Sequence, residues 1–213
     1  MSASPFWLGD EPLVLASGSS ARRLLLESCG IPLEIVRPRV DEKAIAATLL
    51  ESRADPAEIA IALAHAKAEA VARLHPDRLV LAADQTLDLE GSLFMTPADR
   101  GAAQAQIARL RGKAHHLHSA SALRRGETVL WAGLSSATLL MRPFDDAFLE
   151  RYLDAMGPRV TETVGGYEME GLGPHLFSEI VGDHATILGL PLLGVLYALR
   201  EAGVLAGAEE IEA

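Results

Sequence analysis

Leu13-Val14-Leu15-Ala16-Ser17-Gly18-Ser19-Ser20-Ala21-Arg22-Arg23 is the stretch on which the reading of the fold turns. Four apolar residues read as a short buried strand, and four small or hydroxylated residues break it. A helical pattern starts near Ala21 and stops at Gly30, with Pro32 beyond. A strand that runs through a small-residue loop into a helix aims the helix's first N–H groups back at the loop, where an anion can sit. Ser17 and Ser19 add hydroxyls, and Arg22 adds a planar fork suited to phosphate oxygens. The plainer reading is a serine-capped helix with a solvated arginine pair. No Gly-Lys-Ser/Thr follows and no GxGxxG turn is present, which excludes a Walker A loop and a dinucleotide turn.

Outward from this stretch, strands and helices alternate. A second strand is expected over Leu33 to Val36, with Asp41-Glu42 in the loop after it. Asp55-Pro56-Ala57-Glu58 has an acidic cap, a first-turn proline and a capping-box glutamate, so it opens a helix that runs to about Leu74. Leu79-Val80-Leu81-Ala82-Ala83 reads as a buried strand delivering Asp84 at its end, and Thr96-Pro97-Ala98-Asp99 as the start of a helix that Gly112 ends. His116 to Leu123 and Thr128 to Met141 read as an antiparallel hairpin around Arg125-Gly126. A helix over Asp145 to Met156, a glycine-rich segment and a last helix reaching about Ala202 complete the chain. The class is α/β, with a mixed sheet, flanking helices and no linker. The chain is expected to be one domain over residues 1–213, with loose ends at 1–12 and 206–213.

Composition narrows the function. Of 213 residues, 49% are hydrophobic and 23% charged, enough for a substantial core. A net charge of −10 repels polyanions, which argues against DNA, RNA or anionic membrane as partners and leaves a small phosphorylated ligand open. One cysteine, Cys29, forms no internal disulfide or CxxC site, and the start lacks a secretion pattern; both favour the cytoplasm.

Asp84, at the carboxyl end of an apolar strand, stands where open α/β sheets place ligands, and Asp41 and Glu42 can reach the same edge. Carboxylates without cysteines or HExxH suit Mg²⁺ or Mn²⁺ rather than zinc. Lys67 sits among small residues on a helix face that can approach closely, although a surface lysine is the simpler reading. His115, His116 and His118 lack a nearby carboxylate or cysteine at ligand spacing and read as strand residues.

The order of these signals resembles the Maf family of nucleoside triphosphate pyrophosphatases. The resemblance rests on Leu15 to Arg23, Val40-Asp41-Glu42, Ala66-Lys67-Ala68, Ala83-Asp84-Gln85, Leu110-Arg111-Gly112 with His115, Gly165-Gly166-Tyr167 with Glu170-Gly171, and Gly189-Leu190-Pro191-Leu192. It implies a two-lobed fold like that of the inosine triphosphate pyrophosphatases, with the nucleotide in the cleft, a divalent cation and often a homodimer. Carried over, it implies that Ser17, Ser19, Arg22 and Lys67 hold phosphate, that Glu42 and Asp84 serve the metal, and that Asp84 is the catalytic acid.

Gln85 and Glu170 are similar to the branch of the family that prefers 7-methyl-GTP; the other branch hydrolyses dTTP and UTP. A carboxylate accepts but cannot donate hydrogen bonds, which suits the ring N–H and exocyclic amine of guanine and opposes pyrimidine carbonyls. Two residues depart from the pattern. Thr96 stands where a lysine precedes Pro97, and losing such a cation is expected to cost on the order of 2–4 kcal/mol of transition-state stabilisation. Ala21 replaces a bulky Arg or Trp. A nucleotide-binding cell-division regulator with weak catalysis is the reading that Thr96 favours.

Overall fold

Strand β1 (Leu13–Ala16) is flanked by two parallel neighbours, β2 (Leu33–Ile35) on one side and β3 (Leu79–Leu89) on the other. The computed structural model describes residues 4–207. Beyond β3 the sheet turns antiparallel through β5 (Ala114–Arg125), β6 (Thr128–Met141) and β7 (Phe177–Val181), giving the order β2-β1-β3-β5-β6-β7. β4 (Ser92–Phe94) pairs only with the far end of β3, Leu87–Leu89.

β3 therefore meets β1 along Val80–Ala82 and β4 along Leu87–Leu89, and between them its edge is unpaired. Asp84 lies in that gap. The sequence reading placed it at a strand end, but the strand continues through Gln85-Thr86-Leu87-Asp88-Leu89. The alternation of Leu87 and Leu89 with Thr86 and Asp88 is the period of a half-buried strand, but the polar run Asp84-Gln85-Thr86 before it hides the continuation. What exposes Asp84 to a ligand is the departure of β1 after Ala16.

Among the described residues seven α-helices accompany the sheet: α1 (Ser20–Ser28), α2 (Glu42–Glu51), α3 (Pro56–Ala72), α4 (Arg100–Leu110), α5 (Asp146–Met156), α6 (His184–Ile187) and α7 (Leu192–Glu201). The capping box of α3 forms as expected, with Asp55 accepting from Glu58 N and Glu58 from Asp55 N. Its alanines Ala60, Ala64, Ala68 and Ala72 pack on Val80, Ala82, Ala120 and Ala122. Small side chains on both surfaces let helix and sheet approach closely, and this buries Lys67 at 8% exposure.

Two expectations need correction. α4 starts at Arg100 with Asp99 as its cap, not at Thr96. Phe94 ends β4 inside the core, and the chain uses 95–98 to turn toward the helix, so Thr96 is left facing the cleft. Asp41 and Glu42 are not in a loop. Asp41 caps α2 by accepting from Ala44 N at 3.0 Å, so Glu42 is the first residue of that helix.

The chain ends also bear on the expected layout. Residues 1–3 and 208–213, parts of the ends expected to be loose, lie outside the described residues. Trp7 bridges Leu205, and Leu8 N donates to Val204 O, so the two ends are tied together. Among the described residues no helix is long and apolar enough to cross a membrane.

Of the four buried clusters among the described residues, the two largest mark the lobes. One joins Leu13, Leu15, Leu26, Leu81, Leu123 and Leu199; the other joins Leu87, Ile107, Leu117, Leu139, Leu153 and Tyr167. β3 and β5 place residues in both, so the lobes share strands rather than a linker. Both tryptophans, Trp7 and Trp131, pack against the first core. Leu139→Ala in the second core is expected to cost about 2–5 kcal/mol. Tryptophan fluorescence during urea unfolding should report that loss as one transition at a lower midpoint. A first-core transition left at the wild-type midpoint would mean that the lobes unfold independently.

Candidate active site

The loop Ser17-Gly18-Ser19 leaves β1 and is braced from within. Ser17 Oγ accepts from Ser19 N at 3.2 Å, and Ser19, the cap of α1, accepts from Arg22 N at 3.3 Å. Arg22 points inward. Its Nη1 donates to Ala83 O at 2.7 Å and to Ser17 Oγ at 3.3 Å, and its Nε donates to Gly189 O at 2.8 Å. The Ala83 carbonyl lies where β1 has left the edge of β3, and the guanidinium takes the place of the missing strand. Gly189 is required for this contact. Its φ is +93°, and a Cβ there would lie 3.1 Å from both Arg22 Nε and Nη2. Burial lowers the Arg22 pKa, against the pull of Asp84 and Glu42.

Beside the loop, Lys67 Nζ sits between two carboxylates, 2.5 Å from Asp84 Oδ1 and 2.9 Å from Glu42 Oε2. Asp84 is 6% exposed. Burial pushes its carboxyl above the ordinary range, while Lys67 and Arg22 pull it back. The three residues come from α2, α3 and β3, and small-residue packing of α3 on the sheet makes the contact possible.

These groups border a cleft of about 850 Å³, a size that suits a nucleotide. Ser17, Ser19, Arg22, Glu42, Lys67 and Asp84 all line it, so the residues expected to meet one ligand are brought together. Gln85 lines it too, but its amide is already engaged. Nε2 lies within 3.1 Å of Ser119 Oγ, Thr186 O and Ile187 O, which ties α6 to the sheet. Glu170 is exposed on the opposite wall. Asp41 is spent on its cap.

That opposite wall is built on the glycine-rich segment. Gly165 and Gly166 have φ of +80° and +71°, and a Cβ on Gly165 would meet Leu87 and Tyr167 at 2.7 Å. The Tyr167 hydroxyl pairs with His115 Nε2 at 2.8 Å. His115 is fully buried, and burial lowers its pKa to about 4, so it is a neutral strut under the wall. His116 and His118 stack with ring centroids 6.0 Å apart and bond Thr138 and Ser136, as strand residues do.

Sequence reasoning missed four charged residues of the cleft, Arg37, Arg159, Glu162 and Glu168. Arg37 reaches it from the segment after β2. Arg159 and Glu168 face each other on the far wall, with Nη1 and Oε2 3.1 Å apart. Nothing in a run such as Val36-Arg37-Pro38 marks a cleft residue; only the sheet order does.

Fold and site define an α/β protein whose cleft combines a small-residue loop at a helix N-terminus with a buried lysine–carboxylate cluster. The chain matches the Maf-like protein family over residues 12–202, and it belongs to that family. It is 48% identical over 200 residues to a nucleoside triphosphate pyrophosphatase of Rhodopseudomonas palustris, covering 94% of this chain and 98% of that one. It is 44% identical over 195 residues to a 7-methyl-GTP pyrophosphatase of Rhizobium johnstonii, covering 92% and 98%. A HAM1 protein of Coxiella burnetii aligns in structure over 61% of this chain and 72% of its own, at 16% identity and a TM-score of 0.39.

Lys67 is the cation that makes the cluster tolerable. The raised Asp84 pKa means that ionising this carboxyl costs folded-state stability. The cost is full above the folded value and vanishes below the unfolded value of about 3.9. Lys67→Met raises that pKa further and should lose about 3–5 kcal/mol at neutral pH. The loss should shrink as pH falls toward 4, and adding Asp84→Asn should restore most of it. A pH-independent loss in denaturant titrations would contradict the charge assignment.

Proposed function

We propose that the protein hydrolyses nucleoside triphosphates to the monophosphate and pyrophosphate, with a divalent cation. The observation that carries this reading is the buried Asp84 carboxylate, held by Lys67 beside the anion loop in a nucleotide-sized cleft. Its near-full-length relatives named as pyrophosphatases support it.

In the proposed reaction water attacks the α-phosphorus, the bond to the bridging oxygen breaks, and pyrophosphate leaves with the electron pair. A carboxylate with a raised pKa is a better base near neutral pH, and Asp84 accepts the water's proton. The loop N–H groups and Lys67 oppose the charge that grows on the phosphate oxygens. Arg22 acts by holding the loop in place, because its Nε and Nη1 are turned to protein oxygens.

The donor set fits a magnesium-type ion. Among the described residues no three His, Cys, Asp or Glu side chains form a metal cage. Glu42 and Asp84 alone suit an ion that completes its shell with water and substrate phosphate. Such an ion would supply charge neutralisation at the triphosphate.

The preferred base is a guanine type such as 7-methylguanine. Glu170 stands on the wall opposite the loop, and a carboxylate there accepts from the guanine N–H groups and attracts a cationic ring. Ala21, also at the cleft, leaves room for a larger base.

The test is a panel of 7-methyl-GTP, GTP, dTTP and UTP with Mg²⁺ or Mn²⁺, with products identified. Pyrophosphate release should require the cation and stop with chelator. Asp84→Asn should lower kcat about 10²–10⁴-fold. Glu170→Gln should shift kcat/KM about tenfold from 7-methyl-GTP toward dTTP. Unchanged turnover in Asp84→Asn or release of single phosphate would overturn the reaction, and a pyrimidine preference in the wild type would overturn the base assignment.

A further inference from the structure

The cleft is bordered by four cations and five carboxylates, and three of the cations are already engaged. Arg22 donates to Ser17 Oγ, Ala83 O and Gly189 O. Lys67 is held by Asp84 and Glu42, and Arg159 by Glu168. Arg37 differs: among the described residues it makes no hydrogen bond or ion pair, and it is exposed. Its guanidinium lies over the apex of the anion loop, where a Cβ on Gly18 would be 3.5 Å from Arg37 Nε and 3.8 Å from Cζ.

We propose that Arg37 binds the two outer phosphates of the substrate, the pair that leaves as pyrophosphate. This rests on the triphosphate reading above and adds a residue to it. Charge argues for it first. Among the described side chains at the phosphate end, Arg22 and Lys67 only balance Glu42 and Asp84, so the protein's own groups there are neutral without Arg37. A divalent cation shared with the triphosphate offsets two of its charges, and Arg37 is the side chain left to oppose the rest. Thr96, at the rim of the same cleft, supplies no charge where the sequence pattern expected a lysine.

Depth then assigns the phosphates. Asp84 is buried and must address the α-phosphorus, so the α-phosphate lies deep. Arg37 is exposed and stands beside Gly18 on the loop side of the cleft, away from the buried Asp84. A guanidinium there takes two oxygens at once and stays charged throughout the pH range of the reaction. Its side chain has no partner to lose, so removing it leaves the fold intact.

The test uses inorganic pyrophosphate and GMP as separate probes, with titration calorimetry in the presence of MgCl₂. In Arg37→Ala the Kd for pyrophosphate should rise at least tenfold and that for GMP should stay within twofold, with an unchanged Tm. Arg37→Lys should fall between, because it keeps the charge and loses the fork. Pyrophosphate affinity within twofold of wild type in Arg37→Ala would overturn the proposal. Equal weakening of both probes, or a wild type that does not bind pyrophosphate, would overturn it as well. An Arg37-dependent pyrophosphate site in a wild type that hydrolyses no triphosphate would leave this assignment standing and sink the reaction.

Discussion

Arg22 donates to oxygens on three separate segments: the loop after β1, the middle of β3 and the turn before α7. The shape of the cleft follows from that placement. A sheet edge left by its neighbour exposes backbone groups that need partners, and an unpaired buried carbonyl costs about 1–3 kcal/mol. Here the guanidinium satisfies the Ala83 carbonyl, which lets β1 end early and opens the space next to Asp84. The same side chain anchors the loop on which an anion would rest. Loop position, strand gap and the Gly189 turn are thus one coupled arrangement.

The second coupled arrangement is Lys67 with Glu42 and Asp84. A lysine and a carboxylate are rarely buried unless paired, and this pair forms because the alanine stripe of α3 lies close on the sheet. Packing by the smallest side chains thereby sets the electrostatics. Larger residues at Ala64 or Ala68 would move α3 outward and lengthen the 2.5 Å contact. The apolar face and the polar cluster of this helix are two consequences of one spacing.

Most of the first half of the chain was legible in its residues. Strand, loop and helix around Ser17–Arg22 follow from apolar run, small residues and capping, and Asp55-Pro56-Ala57-Glu58 marks its helix without ambiguity. Asp84 reads as a site candidate at a strand end, whereas it lies within β3, because the polar Asp84-Gln85-Thr86 masks the continuing alternation. α2 is hard to read because its apolar residues lack a clear stripe, and Thr96-Pro97-Ala98-Asp99 reads as a helix start from Thr96 because Thr-Pro and Asp99 both fit a cap. Arg37 and the Arg159–Glu168 pair were not legible. Their places depend on which strands lie side by side, and local patterns carry no record of that.

The shared strands have a consequence for how this chain can be divided. β3 and β5 each run through both cores, so no cut between the lobes yields two pieces with complete sheets. The hairpin tip at Gly126 is the natural place to nick the backbone, yet each resulting fragment would keep only one side of a long β5–β6 ladder. Such fragments would regain structure only by finding each other. The two lobes therefore stand or fall as one folding unit, with no seam at which either could be lifted out whole.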